Sequence, residues 1–214
     1  MRPAGSIPEV ARTYLLPARW RERGIQRFGF HGLSVAWVAE RVPVARLVVC
    51  HLGGGSSVTA VLDGRSLDTT MGFTPLEGVP MATRSGSVDP GALLHLLRGG
   101  LGVEELDGLL EHESGLLGLS GVSGSVRDLE ASDDPAAHYA LDVYCYRIAA
   151  AIGAMAAALG GADAIVFTAG VGEHSEQVRD RVMARLGFLG ARLVVVEARE
   201  DLVAARAARK LLAG

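Results

Sequence analysis

Short apolar runs alternate along the chain with longer stretches in which apolar residues recur every three or four positions. Leu47 to Cys50 is one such run, Ser57 to Leu62 is rich in β-branched residues, and Ala164 to Thr168 (AIVFT) and Leu193 to Val196 are two more. Each has the length and the residue types of a strand, and Gln26 to Phe30 is strand-like as well. From about Pro135 to Leu159, Leu141, Cys145, Ile148, Ile152 and Met155 step by fours and threes, which predicts one apolar face of a long buried helix. Shorter helices are expected at 34–41, 92–97, 103–111, 176–186 and 200–212. Short helical turns near Pro8 and Trp20 read as a lead-in. Strands alternating with helices predict an α/β fold. Its mixed sheet is built on a meander at 46–69, extended by strands at 26–30, 164–168 and 193–196, with the 135–159 helix on one face.

The breaks between these runs carry the candidate chemistry. Gly53, Gly54, Gly55 and Ser56 turn the first strand into the second, and Asp63-Gly64 turns the second into the third. Three consecutive glycines let backbone N–H groups converge on a small volume, the way a phosphate is cradled without an intervening side chain. An isolated glycine run is more often a hairpin loop. No Lys-Ser/Thr pair follows it as in a P-loop, and it leads into a strand, unlike a dinucleotide fingerprint. His51 stands at its lip. His31 lies where a strand passes into a helix, and Arg84 is flanked by small residues in MATRSGSVDPG. Asp89 is placed to cap a helix begun by Pro90. Residues 114–125 read as a glycine/serine loop. Ala169 to Ser175 reads as a tight glycine turn at the start of a helix, a natural seat for an anion.

Composition narrows the partners. The 214 residues are 49% hydrophobic, enough for a substantial core, and a net charge of −3 without blocks of like charge gives no footprint for nucleic acid or an anionic membrane. A small molecule is the expected partner. Cys50 and Cys145 fall inside predicted core elements without metal spacing, so reduced thiols and a cytoplasmic location are expected. The first residues lack the apolar run of a signal peptide, and no uninterrupted apolar stretch predicts a membrane span.

The stretches RFGFHG (27–32), HLGGGSS (51–57), DTTMGFTPLEG (68–78), TRSGSVDPG (83–91), SGLLGLSGVS (114–123) and FTAGVGEHS (167–175) resemble acetate kinase and its relative propionate kinase, in order and spacing across most of the chain. The resemblance implies the actin-like ATPase (ribonuclease H-like) α/β fold. It implies that residues 1–214 correspond to the family's C-terminal domain, with a helical insertion at about 90–134 and no counterpart of the N-terminal domain. Implied with it are phosphoryl transfer from ATP to acetate or propionate, ADP as product, Mg²⁺ as cofactor, a homodimer, and an N-terminal half supplied either by a separate chain or by a longer protein of which this is a fragment. By position, His31 and Arg84 resemble the residues that stabilise the phosphoryl group in flight. His51, Leu52, Gly53, Gly54 and Gly55 resemble the phosphate loop. Ser125, Val126 and Arg127, with Gly170, Val171, Gly172, Glu173 and His174, resemble the adenosine-side segments. Phe30 and Pro75 resemble the acyl pocket, and Glu200 the magnesium ligand.

The chain also departs from the family pattern. Gly54 and His174 replace asparagines, Ser125 and Ser87 replace aspartates, and Ser34-Val35-Ala36-Trp37 replaces Ser-His-Arg-Tyr. The hairpin between Leu189 and Val195 is shortened. Each departure at the nucleotide predicts weaker binding. The alternative is a non-catalytic nucleotide-binding or dimerisation module left from a kinase. A sugar kinase of the same superfold is disfavoured by MGFTPLEG.

Overall fold

The structure is a computed structural model that describes residues 7–212. Among them, five strands form one sheet: β1 (Arg46–Leu52), β2 (Ser56–Leu62), β3 (Arg65–Thr69), β4 (Ala164–Thr168) and β5 (Arg192–Val195), in the order β3-β2-β1-β4-β5. The first three make the expected antiparallel meander, with a register shift between Ala60 and Val61. β1 then pairs in parallel with β4, and β4 with β5, so the sheet is mixed.

Strand alternation sorts the core into two layers. Val48, Cys50, Leu52, Val58, Ala60, Ile165 and Phe167 face α8 (Pro135–Leu159). Leu47, Val49, Val61, Ala164 and Val166 face the other way, against Val35, Trp37 and Val38 of α3 (Gly32–Arg41) and Val203 of α11 (Glu200–Leu212). The indole N–H of Trp37 donates to the Glu197 carbonyl at 2.8 Å, tying α3 to the segment that enters α11.

α8 begins where its caps dictate: Asp134 accepts from the Ala136 N–H, Pro135 holds the first turn, and Gly160 ends the helix in the left-handed conformation. By length and composition α8 would suffice to cross a membrane, although the sequence reading found no such span. Its window of mean hydropathy 1.3 is half buried in the protein, and Ile148 and Ile152 are fully covered. Burying each such side chain stabilises the fold by about 1.5–3 kcal/mol.

Short helices α1 (Glu9–Arg12) and α2 (Ala18–Arg21) precede α3, and α4 (Pro90–Arg98), α5 (Val103–His112), α6 (Gly115–Ser120) and α7 (Val126–Glu130) lie between β3 and α8. Asp89 caps α4 with Pro90 in its first turn, as expected. Helices α9 (Ala169–His174) and α10 (Glu176–Met183) follow β4.

Four expectations fail. Residues 26–30 do not join the sheet: Gly29 has a φ of +70° against the Thr69 side chain, which breaks the pleat, and the neighbouring N–H groups donate outside the sheet, Arg27 to the Arg12 carbonyl at the end of α1 and Phe28 to that of Gly72. The 114–125 loop contains α6, because its first N–H groups find acceptors in residues 81–83. The glycine turn after β4 is itself helical: it is α9, entered through Ala169 at φ +66°. The following helix also stops at Met183, three residues early.

Candidate functional site

The site lies where β1 and β4 end, the carboxyl edge at which parallel α/β sheets place ligands. His51 is the penultimate residue of β1, opposite Ser57 of β2 and in register with Thr168 of β4. Alternation puts all three side chains on the α3 face. His31, at the N-terminal cap of α3, brings its ring over that of His51, stacked at 3.9 Å between centroids and 18° between planes.

Each ring is tied through Nδ1. His31 Nδ1 is 2.9 Å from Ser57 Oγ, and His51 Nδ1 is 2.8 Å from Ser34 Oγ. The Nε2 atoms lie at the glycine turn: a methyl group on Gly55 would come within 3.2 Å of His31 Nε2, and one on Gly53 within 3.7 Å of His51 Nε2. At Gly54 and Gly170 an added methyl would have no described atom within 4 Å, so among the described residues those glycines border open space. Burial, joined by the charge His51 would carry, lowers the His31 pKa to about 4, and burial lowers that of His51 to about 4. Two charges at this separation would repel by about 4 kcal/mol at an effective dielectric of 20. Both rings are therefore neutral at pH 7.

The second glycine segment adjoins the first, since a methyl on Gly53 would lie 3.3 Å from Ala169 Cβ. Glu173 fixes that corner: its Oε1 accepts from the N–H of Ala169 at 2.7 Å and of Ala198 at 2.8 Å. This brings the approach to Glu200, the half-buried first residue of α11, to the start of α9. α7, which Ser125 caps, is tied at its far end to the residue that follows α9. Ser125 caps α7, accepting from Asp128 N–H, and Glu130 accepts from Ser175 Oγ at 2.5 Å. Val126 is buried, while Arg127 and His174 are exposed. Leu52, Val171 and Gly172 pack into the core beneath.

Of the two acyl-side candidates, Phe30 directly precedes His31 in the chain. Phe30 is 46% exposed and Pro75 is half-buried. Arg27 links their loops by donating to the Thr69 carbonyl at 2.6 Å and to Glu77 at 3.1 Å, and Tyr14 also bonds Glu77. Arg84 Nε donates to Glu111 Oε2 at 2.5 Å, and among the described residues no hydrogen bond joins it to His31 or His51. His31, His51 and the corner that begins at Ala169 adjoin one another at the Gly53–Gly55 turn. A further cavity of about 900 Å³ opens on the α8 side, lined by Glu77, Ser87, Leu119 and Arg147, and His31, His51 and Arg84 do not line it.

Among the described residues no three or more His, Cys, Asp or Glu side chains gather as a metal-ligand set. A lone carboxylate such as Glu200 fits a Mg²⁺ that takes most of its ligands from phosphate and water.

Sequence reasoning missed Ser34, Ser57 and Thr168. Ser34 and Ser57 are local in sequence to one histidine each, but only the packing of α3 on the sheet shows which ring each one reaches. Thr168 is fully buried, and its Oγ1 has no hydrogen-bond partner among the described residues. Thr168→Val, which keeps the shape and removes an unsatisfied hydroxyl, is expected to raise stability by about 1 kcal/mol, read as a higher urea midpoint at unchanged slope. A lower midpoint would show that the hydroxyl does have a partner.

With this geometry in place, the comparisons with known proteins agree with one another. An acetate kinase of Acaryochloris marina is 49% identical over 196 residues, covering 87% of this chain and 49% of that protein. The crystal structure of Porphyromonas gingivalis acetate kinase superposes with a TM-score of 0.90 at 34% identity, covering 97% of this chain and 61% of that one. A propionate kinase from Francisella tularensis superposes at 0.88 and 30% identity, with 92% and 59% covered. The shared architecture is the actin-like ATPase fold, a mixed sheet with flanking helices. The chain spans about half the length of the curated relatives it matches. The Acetokinase family profile matches residues 4–210, nearly the whole sequence, and the chain belongs to that family.

Proposed function

We propose that this chain is the ATP-side part of a carboxylate kinase that transfers the γ-phosphoryl group of ATP to acetate or propionate, giving the acyl phosphate and ADP. The observation that carries the reading is the pair of stacked, neutral imidazoles with both Nε2 atoms at the lip of the Gly53–Gly55 turn. Phosphoryl transfer asks of a protein mainly in-line positioning and donors aimed at the equatorial oxygens. His31 donates to the phosphoryl group in transit, and His51 with the Gly53–Gly55 backbone holds the phosphates of the nucleotide. Arg84, with Nε held by Glu111, offers its terminal nitrogens from the neighbouring loop. Ser125 to Arg127 and Gly170 to His174 flank the adenosine, and Phe30 and Pro75 wall the acyl methyl. Mg²⁺, with Glu200 as its protein ligand, neutralises phosphate charge when bound.

Domain 1–214 is the C-terminal part of the family's two-domain arrangement, with α4 to α7 as its helical insertion. The facing part excludes water and aligns the carboxylate with phosphorus, so these 214 residues assayed alone are expected to bind ADP–Mg²⁺ weakly and to form no acyl hydroxamate from ATP and acetate. Fused behind the N-terminal half of the Acaryochloris marina acetate kinase, they are expected to turn over, and His31→Ala is expected to cut that rate by about 10²–10³. A folded fusion that neither binds ADP nor forms hydroxamate would overturn the proposal. Full turnover by the 214 residues alone would instead refute the assigned contribution of the facing part.

A further inference from the structure

We propose that Ser57 and Ser34 are positioning residues that donate their hydroxyl hydrogens to Nδ1 of His31 and His51, fixing both rings as the Nε2–H tautomer with two N–H donors facing the glycine turn. The identity of the acceptor rests on the phosphoryl-transfer reading; the tautomer is a property of the chain itself.

The connections cross. His31 caps the helix that carries Ser34, yet its own ring bonds Ser57 on β2. His51 pairs with Ser57 across the β1–β2 ladder, yet its own ring bonds Ser34 on α3. Each histidine is thus held by the serine that neighbours the other. Moving either ring disturbs both, which keeps the stack at 3.9 Å. The serines are 0% and 1% exposed, so water does not compete for their hydroxyls.

A serine hydroxyl can donate or accept, and its other partners decide which. Neither hydroxyl has a described partner besides Nδ1, so a serine that accepted there would bury its own hydrogen without an acceptor, while both Nε2 atoms lie at the turn without a described hydrogen-bond partner. Nε2 then carries the proton, Nδ1 is the bare nitrogen, and each serine must donate. The stack adds a second constraint, because two protonated rings in this contact repel. Neutral rings with a fixed tautomer give directional donors that need no proton from solvent.

Long-range proton–nitrogen correlation spectra of the ligand-free chain at neutral pH test this, with His31 and His51 assigned by their glutamine variants. Both rings are expected to show a pyridine-type Nδ1 and a pyrrole-type Nε2. Ser57→Ala is expected to turn His31 into an averaged mixture of tautomers while His51 keeps its pattern, Ser34→Ala to do the converse, and Ser57→Thr to restore the native His31 spectrum. A pyrrole-type Nδ1 on either ring of the native chain would overturn the proposal without any variant, even if the serine variants fail to fold. So would an alanine variant whose spectrum is unchanged. Fixed tautomers in a chain whose fusion cannot make acyl phosphate would sink the kinase reading and leave this one standing.

Discussion

Acidification from pH 6.5 to pH 4 is expected to strip the fold of several kcal/mol, well before the carboxylates of its exposed ion pairs are protonated. His31 and His51 are held near a pKa of 4 in the folded chain, chiefly by burial, against about 6.5 when unfolded. Above 6.5 the rings are neutral in both states and contribute nothing to the pH dependence. Between 6.5 and 4 the unfolded imidazoles take up protons that the folded pair refuses, so stability falls as pH falls, and below 4 the contribution levels off. Each pKa unit is worth about 1.4 kcal/mol, which makes the loss roughly 3 kcal/mol for His51, the more buried ring. Asp163 and Asp201, lowered from 3.8 by hydrogen bonds from Arg46 and Arg199, lose their contributions only at lower pH. Urea midpoints measured across the interval check this. The double variant His31→Gln with His51→Gln should be flatter than the native chain; equal slopes would place the acid sensitivity elsewhere.

Gly115→Ala is expected to destabilise the protein by about 4 kcal/mol, in the diagnostic range for single substitutions. Gly115 opens α6 with φ +63°, and an added methyl would lie 2.3 Å from the Met81 carbonyl oxygen and 2.8 Å from that of Arg84. The loop cannot retreat freely, because Ser114, Leu116 and Leu117 donate their N–H groups to the carbonyls of Thr83, Met81 and Ala82, each at 2.9 Å. Retreat breaks these bonds, each worth about 1 kcal/mol net, and adds the left-handed penalty of about 1–2 kcal/mol. Gly121→Ala is the control, with φ +64° but nothing within 4 Å, so only the backbone penalty applies. Denaturant unfolding of the two variants is the measurement. Equal losses would mean that the 81–84 loop yields at no cost. The loop also carries Arg84, so in the fused enzyme the Gly115 variant should lose turnover beyond its loss of stability, while the Gly121 variant should not.

Local signals were sufficient for much of this chain. The meander at 46–69, the strands near 164–168 and 193–196, the Asp89-Pro90 helix start and the limits of α8 all follow from periodicity, turn residues and caps, because these depend on neighbours within a few positions. So do the two glycine segments at strand ends. The motifs carried the family, since six stretches in order specify more than any one loop.

What the sequence left open depends on residues far apart in the chain. Gln26 to Phe30 has strand composition, but pairing is decided by whether a partner edge is offered in register, and here Gly29 folds against Thr69 instead. The serines of 114–125 look like a loop until the carbonyls of 81–83 arrive to satisfy the first turn of a helix. His31 and His51 could be singled out by type and position, whereas their stacking, their exchange of serines and their neutrality exist only once α3 is laid on the sheet and water is excluded. Arg84 was legible from its small flanking residues, and its pairing with Glu111 was not, because that partner lies 27 residues away along the chain. Short-range sterics and hydrogen bonding determined the elements; burial and register, which are collective, decided the protonation and geometry of the site.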